Sequence, residues 1–333
     1  MKFPLISVII VAHDRKKYLQ QALKSTLEQT LPRKYFEVIV VKNFSDVELD
    51  KFIIENSCLM ICTKENTFGS KLALGVASAK GDIICCLDDD DLYKPNKLET
   101  IKRVFNKYND LIFIHHEHDT LREDGKIYRS LHHSTKKTIV YGIQDSNYYS
   151  FFQLIQTDPL FNMSSIVFRK CLFDEKILLN SNVTNGWDSI IFLMALSSNK
   201  VLIAIPDVLS TYRIHDSTSL MNLPLESFLE FKERWYKGYV NSLRAVERLL
   251  SNSTYSSKML RCIILEGEIE KMISSKKNAN KVLFAKKIIA FLTCFYYIPL
   301  PRYLFLIMVS TLYLFSNKGS KLLFYESFKG KFI

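Results

Sequence analysis

Short apolar runs rich in β-branched residues recur along the first third of the chain, at Ser7 to Val11, Val38 to Val41, Leu59 to Cys62, Ile83 to Leu87 and Leu111 to Ile114. Each has the length of a strand and is nearly unbroken by polar residues, the pattern of strands covered on both faces. Between them lie amphipathic stretches from Tyr18 to Gln29, Val47 to Asn56, Ser70 to Lys80 and Pro95 to Tyr108, the last opening on a proline suited to a first helical turn. Successive βα units of this kind predict an α/β fold with a mainly parallel, Rossmann-like central sheet flanked by helices.

The pattern then changes. From Glu117 to Ser150 the chain turns polar and irregular, and His115, His116, His118, His132 and His133 fall in or beside this stretch, as in loops and edge strands. Regular order resumes at Phe161, and beyond Ser219 the periodicity is helical, over Leu225 to Leu250 and Lys258 to Ile273. The tail holds two strongly apolar runs, Ile288 to Ile298 and Tyr303 to Phe315, split by Pro299-Leu300-Pro301-Arg302 and flanked by lysines. Each is shorter than the roughly 20 residues that cross a bilayer, so segment 282–315 is expected to lie in a membrane interface, with a helical hairpin packed on the body as the alternative.

Composition narrows the picture only a little. Of the 333 residues 48% are hydrophobic and 24% charged, an ordinary globular balance, and the net charge of +11 suits an anionic partner. The aromatics lie mostly in apolar runs and are not interleaved with basic residues, so no nucleic acid is expected as a partner. Seven cysteines, at 58, 62, 85, 86, 171, 262 and 294, form no CxxC pair and read as reduced, buried thiols of a cytoplasmic protein. Ile6 to Ala12 is short, lacks a small-residue cleavage site and runs into His13-Asp14-Arg15, so it is expected to be a first strand and not a signal peptide. With the tail, this suggests peripheral attachment at the cytoplasmic face of a membrane.

The candidate chemistry sits on Asp88-Asp89-Asp90-Asp91, directly after the apolar run Ile83 to Leu87. Open α/β sheets place ligands at the carboxyl ends of their strands. Four adjacent carboxylates raise one another's pKa, a cost that a divalent cation such as Mg²⁺ or Mn²⁺ removes. Such ions use one or two carboxylates plus substrate phosphates, so the run reads as half a site that a diphosphate completes; a solvated acidic turn before a helix is the alternative. There is no GxG pair, which leaves neither a dinucleotide fingerprint nor a P-loop. His116 and His118 fall on one face of an extended segment, as zinc ligands would, but no second cluster completes such a site, and a strand end entering a polar loop is expected.

Ser7-Val-Ile-Ile-Val-Ala-His-Asp-Arg15, followed by Tyr18-Leu19, Gln29-Thr30, Phe36 to Val41, Gly75, Ala79, Gly81-Asp82, the acidic run and Tyr212-Arg213-Ile214-His215, resembles the inverting family 2 glycosyltransferases, which have the GT-A fold. The resemblance covers about residues 5–220 and implies a GT-A domain over 1–220, with a nucleotide-sugar half at 1–110 and an acceptor half at 111–220, followed by a helical region at 221–333. It implies that Ala12, Asp14 and the Val41 to Ser45 turn border the nucleoside. It also makes Asp88 and Asp90 the DxD pair, Asp90 on the metal and Asp89 beside the donor, while Asp91 organises the loop. Two positions depart from the family pattern, with Lys42 where an aspartate is usual and Ala73 where an asparagine is; Asn43 is a candidate substitute in donor recognition.

An activated sugar donor leaves the enzyme needing a base for the acceptor hydroxyl. The family places an acidic pair before a helix, and here Asp188 of Asn185-Gly-Trp-Asp188 is the candidate base, with Trp187 in place of the first acid; a helix N-cap is the alternative. Arg213 is expected on phosphate and His215 at the metal. Trp187 and Phe161 to Ser164 are expected to line the acceptor groove, and Lys71 and Lys97 to be surface charge. The implied activity is transfer of a sugar from a nucleotide-diphosphate sugar to a glycan or lipid-linked acceptor. Two other readings stand beside it: a nucleotidyltransferase, which usually needs a glycine-rich loop that Val11 to Lys17 lacks, and a non-catalytic basic module that binds nucleic acid or membrane.

Overall fold

The computed structural model describes residues 6–122, 124–129, 136–142, 148–173, 183–215, 223–247, 250, 254–276 and 279–330. His132 and His133 lie outside them. The chain divides into two compact units, one formed by Met1–Ser181 with Trp187–Arg213, the other by Asn182–Gly186 with Ile214–Ile333.

In the first unit the strands β1 (Ile6–Ala12), β2 (Phe36–Lys42), β3 (Leu59–Cys62) and β4 (Ile83–Asp88) alternate with α1 (Leu19–Leu27), α2 (Val47–Glu55), α3 (Phe68–Ser78) and α4 (Lys97–Lys107). These elements fall where the hydrophobic pattern puts them. Two helix starts have a side-chain cap, Asp46 accepting from the Leu49 N–H at 3.1 Å and Thr67 from the Ser70 N–H at 3.1 Å, which satisfies a backbone donor left over at each helix start. Every residue of β1 is buried, whereas β3, an edge strand, is exposed at Leu59 and Cys62 and half-buried between them.

The rest of the unit departs from the simple βα repeat. It adds β5 (Leu92–Tyr93), β6 (Leu111–Leu121), β7 (Ile127–Arg129), β8 (Ile139–Tyr141), α5 (Tyr148–Gln156), β9 (Ile166–Arg169), α6 (Trp187–Ser197) and β10 (Val201–Arg213). The strand order is β3-β2-β1-β4-β9-β6-β10-β5, with β7 paired to β6 and β8 to β10. The sheet is mixed: its longest ladders, β1/β2, β1/β4, β2/β3 and β6/β10, run parallel as expected, while β9 inserts antiparallel between β4 and β6, and β5, β7 and β8 also pair antiparallel. His115, His116 and His118, expected at a strand end entering a polar loop, lie within β6, which runs on to Leu121 between β9 and β10.

The second unit is helical among its described residues, with α7 (Leu225–Val246), α8 (Thr254–Ser274), α9 (Lys281–Phe291), α10 (Leu300–Phe315) and α11 (Asn317–Gly330). No described helix is long and apolar enough to cross a membrane. All seven cysteines are free; five are buried as expected, but Cys62 at the edge strand and Cys171 are exposed.

Candidate active site

The carboxyl ends of β1, β2 and β4 bring three segments together. β1 and β2 run in parallel register up to the pair Ala12 and Lys42, and β1 reaches Asp88 of β4 through Val11. Beyond Ala12, Asp14 takes a left-handed backbone with φ 52°, which short polar side chains tolerate. Its N–H donates to Asn43 Oδ1 at 2.9 Å, and the Asn43 amide donates back to Asp14 Oδ1 at 2.8 Å. Ala12, Asp14 and Asn43, predicted to border one ligand, thus form one corner.

Lys42, the departure from the family pattern, is buried and turned inward. Its ammonium pairs with Asp50 of α2 at 2.6 Å and donates to the Phe44 carbonyl at 2.6 Å. Both partners lie close to it in the chain.

The acidic run is the most strongly charged part of the site. Asp89, Asp90 and Asp91 are buried, and Asp88 is half-buried at the strand end. Burial raises the Asp88 carboxyl well above the ordinary carboxylate range, and the charges of Asp91, Asp90, Asp89 and Asp188 push it further. Burial also pushes Asp91 up to about 8, with the charge of Asp90 adding to the rise. Asp188, in the first turn of α6, accepts from the Ser189 N–H at 2.8 Å. The charge of Asp188 is felt at Asp88, less strongly than those of Asp91, Asp90 and Asp89.

Two arginines answer this charge, in different ways. Arg15 Nε donates to Asp89 Oδ1 at 3.1 Å, and its Nη2 contacts Asp89 and, at 2.7 Å, Asp90 Oδ2. Arg213 ties the loop down: its peptide N–H donates to the Asp91 carboxylate at 2.8 Å and its Nε to the Asp90 carbonyl at 2.7 Å. Its Nη2 meets Gln21 at 2.8 Å, and the guanidinium lies over the Tyr18 ring at 4.4 Å. Arg213 thus braces the loop that it was expected to serve through phosphate, while Arg15 is the cation on the carboxylates.

Ser164 and Lys97 underpin the run. The fully buried Ser164 accepts from the Asp88 N–H at 3.0 Å, and its carbonyl accepts from Lys97 Nζ at 2.6 Å. Ser164 therefore sits beneath the acidic run instead of lining an open groove. Lys97, expected at the surface, is also fully buried, because its ammonium finds the Ser164 carbonyl and the Tyr93 ring, 3.7 Å away. Burial lowers its pKa to about 7, against the opposing charges of Cys85, Cys86 and Asp91.

Lys71 overturns the same expectation. It is buried on α3, its ammonium contacts His13 Nδ1, and His13 Nε2 lies 3.3 Å from Asp14. Burial lowers its pKa, while Asp14 and Asp89 work the other way. Arg15 and His13 are site residues to which the sequence pattern assigned no role of their own, although their position beside Asp14 at the end of β1 was a usable signal.

Trp187 is 4% exposed, and its ring fills the slot over Gly69 in the first turn of α3, where an added Cβ would stand 2.0 Å from a ring carbon. Its indole N–H has no hydrogen-bond partner among the described residues. His215 is buried and belongs to the second unit. On β6, His116 is fully buried with Nδ1 2.9 Å from the Glu117 carbonyl, and burial holds its pKa well below the usual histidine value. His118 packs beside Phe161 and Tyr212, with ring centroids 5.5 and 6.1 Å away. No group of three or more potential metal-ligating side chains stands ready among the described residues.

A mixed sheet with helices on its faces and carboxylates at a strand end is an α/β frame that holds its ligand at the carboxyl ends of its strands. The model of the family described as "Glycosyl transferase family 2" matches residues 7–177, and the chain belongs to that family. An uncharacterized glycosyltransferase of Rickettsia bellii is 32% identical over 222 residues, which cover 65% of this chain and 30% of that protein. The chain thus spans about a third of the length of such relatives, although the match to an uncharacterized glycosyltransferase of Rickettsia typhi, 27% identical, covers 74% of this chain and 75% of the relative. Among solved structures, residues 1–349 of S. aureus TarS in complex with UDP superpose with a TM-score of 0.52 at 14% identity, covering 92% of this chain and 91% of that one. The same TarS fragment in complex with UDP-GlcNAc gives a TM-score of 0.51 at 14% identity, with 92% of both chains covered. These likenesses establish the GT-A fold.

Proposed function

We propose that the chain transfers a sugar from a nucleotide-diphosphate sugar to an acceptor hydroxyl, with inversion at the anomeric carbon. The observation that carries this reading is the Trp187 ring seated over Gly69, which sets the start of α6, and Asp188 with it, against α3, whose Lys71 reaches His13 beside the acidic run; the charge of Asp188 is felt at Asp88. A general base and a leaving-group site are needed together, and these two carboxylates supply the elements of both. Family membership and the nucleotide complexes of TarS support the donor class.

The acidic run suits a hard divalent ion, since its neighbouring carboxylates raise one another's pKa and Arg15 answers only Asp89 and Asp90. Asp88 and Asp90 would hold Mg²⁺ or Mn²⁺ together with the donor diphosphate, since such ions take one or two carboxylates and complete their shell with phosphate oxygens. When bound, the ion supplies positive charge for the departing diphosphate. Ala12 and the Asp14–Asn43 pair border the nucleoside. Arg15 holds Asp89 and Asp90 in place until donor arrives, and Arg213 fixes the loop from behind.

In the transfer, Asp188 takes the acceptor hydroxyl's proton as that oxygen bonds to the anomeric carbon. The bond from that carbon to the diphosphate oxygen breaks, and the nucleoside diphosphate leaves with the electron pair. A general base contributes about 10²–10⁴-fold. The acceptor class that we favour is a glycan or a lipid-linked saccharide.

The test is Asp188→Asn in the full chain. Turnover of a nucleotide sugar, selected by its Mn²⁺-dependent thermal stabilisation of the protein, should fall by about 10²–10⁴-fold while that stabilisation persists. Unchanged turnover removes Asp188 as the base.

A further inference from the structure

We infer that the outer face of the α9–α10 hairpin is a docking surface for an anionic lipid bilayer. The inference stands on the second unit alone and does not depend on the sugar-transfer reading. The two helices are joined through their inner faces, where Phe284 meets Tyr313 at 4.5 Å between ring centroids and Phe291 stacks on Tyr303 at 5.3 Å. Those rings are buried, and both helices also pack on α8.

The opposite faces should therefore be polar if water were their only neighbour. They are not. On α10, Leu304, Met308 and Phe315 fall on one stripe and are 56%, 51% and 83% exposed. On α9 and the turn that follows it, Val282, Ile289 and Tyr296 form a second stripe, with Ile289 66% exposed. An apolar exposed face built from two neighbouring helices exceeds the scattered single residues that soluble surfaces normally carry.

Charge decides the occupant. From Lys276 to Ile333 the chain has ten Lys and Arg against the single Glu326. Some of these cations are neutralised by the rest of the unit, as in Lys276–Glu230, Arg302–Glu266 and Lys287–Glu268. Lys286, on the α9 stripe itself, and Lys318, just past α10, are exposed and enter none of the described ion pairs. Apolar side chains flanked by uncompensated lysines, with an aromatic at the boundary, match the interface of an anionic leaflet. Since no described helix can cross a bilayer, the hairpin would lie on the surface with its outer face in the headgroup region.

The experiment is co-sedimentation of the full chain with vesicles of phosphatidylglycerol and phosphatidylcholine, against vesicles of phosphatidylcholine alone. We expect binding to the anionic vesicles that weakens with salt. The double variant Ile289→Glu/Met308→Glu should bind at least about tenfold more weakly, and Lys286→Gln and Lys318→Gln about fivefold more weakly each. Because all four residues are exposed, thermal midpoints should match the parent; if the glutamate pair misfolds, the lysine variants and the salt dependence still decide the matter. Unaltered vesicle binding by the properly folded variants overturns the proposal. So does a parent that ignores anionic vesicles but forms a dimer, detected by sedimentation, that the glutamate pair dissociates.

Discussion

The peptide N–H of Arg213, the last residue of β10, donates to the carboxylate of Asp91 at 2.8 Å, so the end of the final strand is tied to the acidic run that follows β4. Asp91→Ala leaves that N–H without its acceptor and should cost about 1–3 kcal/mol of stability, read from the urea midpoint. Asp91→Asn keeps an acceptor oxygen and should retain most of that stability. Equal losses in the two variants would show that charge, not the hydrogen bond, is what Asp91 contributes.

Gly69 and Trp187 form a second tie, between α3 and the start of α6. A methyl group at Gly69 would stand 2.0 Å from the indole, so Gly69→Ala should destabilise by about 1–3 kcal/mol and, by displacing Trp187, disturb the neighbouring Asp188. Adding Trp187→Phe to Gly69→Ala should recover part of the loss. A double-mutant cycle in thermal or urea unfolding measures this coupling.

Burial of Lys97 gives stability a defined pH dependence. Its folded-state pKa of about 7 lies below the ordinary lysine value of 10.5, so between these limits the unfolded chain binds more protons than the folded one. Stability from this group therefore rises with pH from about 7 upward and is lowest below 7, where the buried ammonium is fully charged. Lys97→Met should flatten the unfolding free energy between pH 7 and 10 relative to the parent. An unchanged slope would mean that Lys97 contributes little to it.

Lys71 makes the opposite trade. Its ammonium is buried against His13 with Asp14 and Asp89 nearby, an arrangement that is costly alone and that an anionic donor would improve. Lys71→Met should leave the thermal midpoint of the free protein unchanged or higher, yet reduce the rise caused by a nucleotide sugar. A full-sized rise in the variant would restrict Lys71 to a packing role.

Much of the site is legible in the amino-acid pattern itself. The runs Ile83 to Leu87 and Ser7 to Val11 form strands that differ from expectation only at their boundaries, and the acidic run emerges at a strand end. β6 is less visible because its polar middle, His115 to His118, resembles a loop when neighbouring strands are unknown; pairing with β9 and β10 buries it. The antiparallel insertion of β9 is a non-local pairing that no short-range pattern announces. Lys71 and Lys97 mislead for another reason: lysine is ordinarily at the surface, and the His13 ring and Ser164 carbonyl that receive these ammoniums come from distant parts of the chain.

The pairing of buried Lys42 with half-buried Asp50 also constrains how the donor corner can change over generations. Replacing Lys42 alone with the aspartate common in the family would set two acids side by side in a poorly hydrated place, and replacing Asp50 alone would strand a buried ammonium. Neither single step is neutral. Lineages of this chain should therefore carry the two positions as a unit, exchanged together or not at all, and any attempt to retarget the nucleoside end by substitution must begin with both.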